Sequence, residues 1–236
     1  MNWKNFIIAL FYPKKCVICN NILEFKNIEN YICNFCSKNI PYIKGNTCNK
    51  CGVPIDNGIL CQNCFNNSFA FDYGFSAFKY ELVKKSLFRF KYKCVKSDGY
   101  GIAKIMVNYL LEYHNDIIDN IDLIVSVPIH IEKMKEREFN QSEILAEFIA
   151  KELNISYIRD VLIRVRNTVP QNTLNINERK NNVKGAFKVN NLDVIKDKKI
   201  MVIDDIFTTG STINECARVM IMNDAKQVIF FTYATT

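Results

Sequence analysis

Residues 201–212, MVIDDIFTTGST, join two kinds of chemistry in one short span. An apolar run, Met201 to Ile203, ends in adjacent carboxylates, Asp204 and Asp205. Two residues later comes a hydroxyl-rich turn: Thr208, Thr209, Gly210, Ser211 and Thr212. Backbone N–H groups at a helix start, with a glycine that allows close approach, can cradle a phosphate without any lysine. Adjacent carboxylates suit a vicinal diol such as the 2′ and 3′ hydroxyls of ribose. Phosphate plus diol describes a 5-phosphoribosyl group. Helix capping is the competing explanation, because Asp and Thr are good caps. A cap needs one such residue, whereas seven of the nine positions from 204 to 212 are polar or flexible.

Eight of the ten cysteines form four Cys-x-x-Cys pairs: Cys16/Cys19, Cys33/Cys36, Cys48/Cys51 and Cys61/Cys64, with intervening loops of 13, 11 and 9 residues. Two thiolates on one knuckle reach adjacent corners of a tetrahedron, and two knuckles complete a Zn²⁺ site. A disulfide framework is the alternative and needs an oxidising compartment. The N-terminal stretch carries only a seven-residue apolar run, Phe6 to Tyr12, and no small-residue cleavage site. It reads as a short amphipathic helix ending before Pro13 rather than a signal peptide. Sequential ribbons, first pair with second and third with fourth, close the shortest loops; a cross-brace is the other arrangement. Either way all four corners are filled, which marks two structural zinc ions.

Zinc also changes the reading of charge. The formal net charge is +7, and two Zn²⁺–thiolate sites at −2 each bring it to about +3. The basic balance is therefore weak evidence for nucleic acid. A local cluster is better evidence: between 83 and 97 lie Lys84, Lys85, Arg89, Lys91, Lys93 and Lys96, with no acid and with Phe88, Phe90 and Tyr92 interleaved. Lys84, Lys85, Arg89 and Lys91 are the candidate contacts to a single strand, by phosphate neutralisation and base stacking. A solvated helix face over packed apolar residues explains the same pattern. His114 reads as a surface residue at a helix end, and Cys94 and Cys216 as core thiols.

The elements that must position these groups alternate. Residues 69–80 read as strand or hairpin. Val83, Leu87, Phe90 and Cys94 fall at helical spacing, a turn follows at Ser97–Gly101, and a second helix runs over 102–113. Buried strands are expected at 121–127 and 198–204, strand-like ends at 155–165, helices at 140–153 and 212–224, and a last strand at 227–234. Continuous apolar strands alternating with helices give an α/β fold with a parallel sheet covered on both faces. The organisation expected is a cysteine module at 1–68 and a larger domain at 69–236. No apolar stretch reaches the length of a membrane span.

The 201–212 segment resembles the phosphoribosyl-pyrophosphate motif of type I phosphoribosyltransferases. SVPIHIEKMKEREFNQSEILA (126–146) and TVPQNTLNINERKNNVKGAF (168–187) resemble two blocks of ComF proteins, a group related to GntX proteins, and the cysteine-rich start resembles their double zinc ribbon. The resemblance covers nearly the whole chain. It implies a type I phosphoribosyltransferase fold, phosphoribosyl pyrophosphate (PRPP) with Mg²⁺, a cytoplasmic location, and a part in natural transformation alongside competence proteins and incoming single-stranded DNA. It further implies that Pro128–Asn140, with Lys133, Lys135 and Arg137, is the pyrophosphate loop. Arg164–Lys184, with Arg166, Gln171, Arg179 and Asn182, is the implied covering loop. Asp204 and Asp205 are the implied catalytic acids, and Thr208–Thr212 the phosphate cradle. Glu138 stands where the family has glycine. The chain ends four residues after the last strand's core, so no hood element for a base is expected and the sequence names no acceptor.

Overall fold

The computed structural model describes residues 13–24, 31–92, 96–168 and 176–236. Numbered in chain order, its main sheet runs β1 (Tyr73–Lys79), β7 (Gln227–Thr235), β6 (Lys199–Phe207), β2 (Leu123–Ser126), β3 (Ser156–Tyr157). Every neighbouring pair is parallel. A separate antiparallel ribbon pairs β4 (Leu162–Arg164) with β5 (Phe187–Val189). The apolar runs of β6 and β7 are buried almost throughout, as expected of a parallel sheet covered on both faces.

Strand alternation sends successive β6 residues to opposite sides. Met201 and Ile203 enter one core, with α3 (Tyr80–Tyr92), α4 (Lys96–Tyr113) and α7 (Gln141–Leu153) over them. Ile200 and Val202 enter the other, closed by α9 (Ser211–Ile221) and the β4–β5 ribbon. The cysteine-rich segment, with its short helices α1 (Asn34–Lys38) and α2 (Gln62–Asn66), contributes to both: Cys16 and Cys36 to the first core, Cys48, Cys51 and Cys64 to the second. Three further short helices lie among the described residues: α5 (Asn115–Ile118), α6 (Ile131–Arg137) and α8 (Ile176–Val183).

Of the two readings of 69–80, strand or hairpin, the strand is found: residues 73–79 pair in parallel with β7. Other expectations need correcting. The turn expected at Ser97–Gly101 is helical, within α4. Its glycines are there for packing: a Cβ on Gly99 would lie 2.7 Å from the Phe90 ring and 2.8 Å from Ile144, and one on Gly101 2.6 Å from Tyr31 and 2.7 Å from Val17. The strand expected to stop at 204 continues to Phe207, so both acids lie in it. The implied pyrophosphate loop contains helix α6. His114 is a half-buried residue stacked on Phe75 at 4.1 Å, with burial lowering its pKa. The N-terminal helix, Cys94, Lys93 and Gln171 lie outside the described residues.

Alanine is ordinarily favoured over glycine inside a helix by about 1 kcal/mol. Here overpacking against Phe90 is expected to dominate, at about 1–3 kcal/mol. Gly99→Ala should lower the melting temperature measured by circular dichroism. A rise would place residue 99 in loose packing and contradict the helix contact.

Candidate functional site

β6 carries Asp204 and Asp205 at its carboxyl end, beside the start of α9. Because neighbouring strand residues face opposite ways, the two carboxylates find different partners. Asp205 is buried and its Oδ2 lies 2.7 Å from Lys91 Nζ, reached from α3. Asp204 Oδ1 accepts hydrogen bonds from the Ser142 hydroxyl at 2.7 Å and the Asp205 N–H at 2.9 Å. Burial, and then the negative charge of Asp205, push the Asp204 carboxyl up to about 7. Burial alone would lower Lys91; the carboxylates of Asp205 and Asp204 reverse that and hold its ammonium above the ordinary value.

Both acids line a cavity of ≈ 500 Å³, with Lys133 and Arg137 of α6, Arg164 of β4, Arg179 of α8, and Thr208, Gly210, Ser211 and Thr212. The cations are crowded. Burial, followed by the charges of Arg164 and Arg137, lowers Lys133. Arg164 is lowered chiefly by burial, and its Nε is buried without a partner among the described residues. An anion in the cavity would relieve this crowding. The phosphate side is equally open. Gly210 caps α9, an 11-residue helix, at φ +79° and, being glycine, supplies no side-chain cap. The Thr209 and Ser211 hydroxyls bond each other at 2.9 Å.

The eight paired thiols gather in two sets, Cys16/Cys19/Cys33/Cys36 and Cys48/Cys51/Cys61/Cys64, each with its sulfurs within 4.8 Å of one another. The sequential arrangement is the one found. The two ribbons repeat one device: Cys33 caps α1 and accepts from the Cys36 N–H at 3.4 Å, and Cys61 caps α2 and accepts from the Cys64 N–H at 3.5 Å. Sulfur separations are 3.7 Å for Cys19–Cys33 and 3.6 Å for Cys51–Cys61. A disulfide holds its sulfurs about 2.05 Å apart. Four sulfurs about 2.3 Å from a central zinc are about 3.8 Å apart, and the donor set fits that ion. In Cys16 and Cys48 burial is outweighed by backbone N–H bonds, which lower the thiol, but other thiols of each set resist ionising without a cation: burial pushes Cys64 up to about 12 and raises Cys36 and Cys51. A divalent cation reverses that.

Comparison with known proteins gives a double zinc ribbon domain at residues 7–65 and a phosphoribosyl transferase domain at 140–235. The DNA utilization protein YhgH of Salmonella typhi is 27% identical over 223 residues, 93% of this chain and 96% of that protein. Competence protein F of Haemophilus influenzae is 26% identical over 224 residues, covering 89% and 92%. Competence protein ComFC of Bacillus subtilis is 25% identical over 219 residues, covering 86% and 84%. The chain is thus similar over most of its length to competence and DNA utilization proteins. It joins a double zinc ribbon to a parallel-sheet phosphoribosyltransferase fold.

Of the residues expected at the ligand site, Lys133, Arg137, Arg179, Asp204, Asp205, Thr208, Gly210, Ser211 and Thr212 come together around one cavity. Thr209 turns its carbonyl to Asn63 instead. Arg166 departs from the expectation: its guanidinium donates to the carbonyls of Asn182 at 3.0 Å and Lys184 at 2.6 Å, off the cavity wall. The four basic residues assigned to nucleic acid also separate. Arg89 turns inward to Asp98 and Asn20, and Lys91 belongs to the acid pair. Lys84, ion-paired with Glu81 at 2.7 Å, and Lys85 remain exposed. Helical spacing could have separated the four, since 84 and 85 lie away from the buried Val83–Leu87–Phe90 face.

Within the Phe139–Asn140–Gln141 block, the first two residues hold the fold together. Phe139 is buried 5.8 Å from Phe90, and Asn140 caps α7 while its amide donates to Val127 O at 3.0 Å. Glu138 takes the glycine position as a left-handed C-cap of α6, φ +63°. Its side chain is exposed and is not part of the cavity wall. Sequence reasoning missed Ser142, which orients Asp204; its only signal was its place directly after that block.

Metal analysis of the purified chain is expected to return two zinc ions; one or none would contradict the paired clusters. A second expectation concerns pH. The Asp204 carboxyl, ordinarily near 3.8, keeps its proton to about 7 when folded. Folding therefore takes up a proton in that window, and the stability this group contributes falls as pH rises through it. Asp204→Asn retains an acceptor for Ser142 and removes the charge. At about pH 8 it should raise the melting temperature by about 2–4 °C, the equivalent of about 1 kcal/mol at this length. The gain should shrink at about pH 5. An equal or absent gain at both values would contradict the raised carboxyl.

Proposed function

We propose that this chain binds PRPP with Mg²⁺ in the β6 cavity and serves DNA uptake or use in the cytoplasm. One observation carries the reading: an acid pair, a glycine-capped helix start and a set of crowded cations converge on the same ≈ 500 Å³. The 5-phosphate would take the N–H groups of 208–212. Asp204 and Asp205 would take the ribose hydroxyls, and Lys133, Arg137 and Arg179 the pyrophosphate. Mg²⁺ is a hard ion that suits pyrophosphate and diol oxygens with few protein ligands. If transfer occurs, an acceptor forms a bond to ribose C1 as the C1–O bond to pyrophosphate breaks. The leaving group departs with the electron pair toward the cations, and the positive charge gathering on the sugar is stabilised by the acids. A proton lost by the acceptor would go to Asp205.

The DNA role rests on the relatives' names and on one surface feature. Lys84, Lys85, Phe88 and Tyr92 lie on exposed positions of α3, and the Phe88 and Tyr92 rings sit 5.0 Å apart. Tyr92 also borders the cavity, with the Arg137 guanidinium 5.7 Å over its ring. A single strand laid along this stripe, with bases stacked on the two rings, would end at the sugar-phosphate site. Competence proteins are the partner class proposed for the ribbons. Reduced, metal-bound thiols fit a cytoplasmic setting. No described helix is long and apolar enough to cross a membrane.

Calorimetric titration with Mg²⁺-PRPP should give binding that Asp204→Asn/Asp205→Asn abolishes without unfolding the chain. Pyrophosphate release, run with free bases and single-stranded DNA as acceptors, should depend on the same two acids. Binding that survives the double substitution would sink the site assignment. Single-strand binding should fall steeply with salt, and Lys84→Ala/Lys85→Ala should reduce the log–log slope by about 1–2. Salt-insensitive or absent binding would remove the α3 stripe from the account.

A further inference from the structure

We propose that the second zinc ribbon holds the phosphate-binding turn in shape, so that metal at Cys48/Cys51/Cys61/Cys64 and ligand at 208–212 stabilise each other. The proposal rests on reading 208–212 as the phosphate cradle.

Helix α2 lies against that turn. Asn63, between the metal-site residues Cys61 and Cys64, donates from Nδ2 to the Thr209 carbonyl at 3.3 Å across 146 residues of sequence. Asn67 holds Asn63 from behind, donating to its backbone carbonyl at 3.0 Å and to Oδ1 at 3.2 Å. Immediately after the ribbon, the Ala70 N–H donates to Asn214 Oδ1 on α9 at 2.6 Å. The Phe69 ring lies 3.2 Å from where a Cβ on Gly210 would sit. The ribbon side thus meets the turn and its helix at 209, 210 and 214. The other knuckle is anchored as well: Lys50 O accepts from the Gly74 N–H at 3.0 Å, and a Cβ added to Gly52, at φ +69°, would lie only 2.6 Å from Gly74 O. Cys48, Cys51 and Cys64 share a core with Phe207 and Ile213, which flank the turn.

The first ribbon faces elsewhere. Its Asn20 meets Arg89, its Val17 carbonyl meets the Tyr233 hydroxyl at 3.5 Å, and Val17 and Tyr31 crowd Gly101. These are contacts to α3, α4 and β7. The metal sites therefore differ in what they support.

Helix α2 has five residues, too few to persist without the thiolate cluster that caps it. Loss of that metal frees Asn63, and the Thr209 carbonyl loses its donor. Coupling through a shared element is reciprocal, so ligand in the cradle must in turn slow metal loss from this ribbon. Asn63 is a positioning residue in this scheme, one that touches neither metal nor ligand.

The test uses the full zinc-loaded chain, Asn63→Ala, and Asn39→Ala as the first-ribbon control, Asn39 bonding only its own helix at Phe35 O. Asn63→Ala should retain two zinc ions and bind Mg²⁺-PRPP about fivefold to tenfold more weakly, the scale of one part-buried hydrogen bond. Asn39→Ala should bind as wild type. With a colorimetric chelator, saturating PRPP should slow one of the two zinc-release phases in wild type and slow it less in Asn63→Ala. Amide exchange across 208–212, read without ligand, should quicken in Asn63→Ala. Unchanged exchange, equal affinity of Asn63→Ala and wild type, or equal slowing of both zinc phases would each overturn the coupling. Failure of wild type to bind PRPP at all would instead overturn the site reading, and the exchange measurement would still decide the coupling.

Discussion

Two carboxylates drawn out of water at the end of a buried strand need compensation, and the arrangement around β6 supplies it. Asp205 is answered by a cation, Lys91, brought in by α3. Asp204 is answered by hydrogen bonds from Ser142 and the backbone and by a raised proton affinity. A buried charge left without such partners would cost several kcal/mol. The compensation is incomplete on the cationic side: Lys133 and Arg164 remain depressed by burial, and the Arg164 Nε has no partner among the described residues. A ligand that carries both phosphate oxygens and hydroxyls completes both halves at once.

The rest of the fold serves that strand end. Parallel pairing to β2 and β7 buries β6 on both faces and fixes where its last residues emerge. Ligands in open parallel sheets bind beyond the carboxyl ends of the strands, and the turn at Gly210 lies there. The ribbons cannot fold on apolar burial alone, and zinc must supply much of their folding energy. A larger apolar cavity of ≈ 810 Å³, bordered by Tyr42, Pro54, Tyr80 and Thr235, lies between the ribbons and the ends of β1 and β7. It lacks the paired acids and crowded cations, so size alone does not make it the site.

Much of this was legible in the residues. Four Cys-x-x-Cys pairs and the alternation of apolar strands with helices are local patterns, and the clusters and the parallel sheet follow them; the Asp-Asp-x-x-Thr-Thr-Gly-Ser-Thr run, which also admits helix capping, lies at the end of β6 and the start of α9. What escaped was set by distant contacts. Gly99 and Gly101 look like turn residues until Phe90 and Tyr31 are placed against them. Lys91 looks like one more surface cation until its helix is laid over β6. Arg166 carries the right charge in an implied loop, yet the carbonyls at the end of α8 claim it. Asn63 has no local signal at all, because its partner is 146 residues away.

The most direct measurement is a crystal structure of the zinc-loaded chain with Mg²⁺ and PRPP. The account predicts the ribose hydroxyls against Asp204 and Asp205, the 5-phosphate on the N–H groups of 208–212, and the pyrophosphate among Lys133, Arg137 and Arg179. Ligand density in the apolar cavity beside Tyr42, or none at saturating concentration, would contradict it.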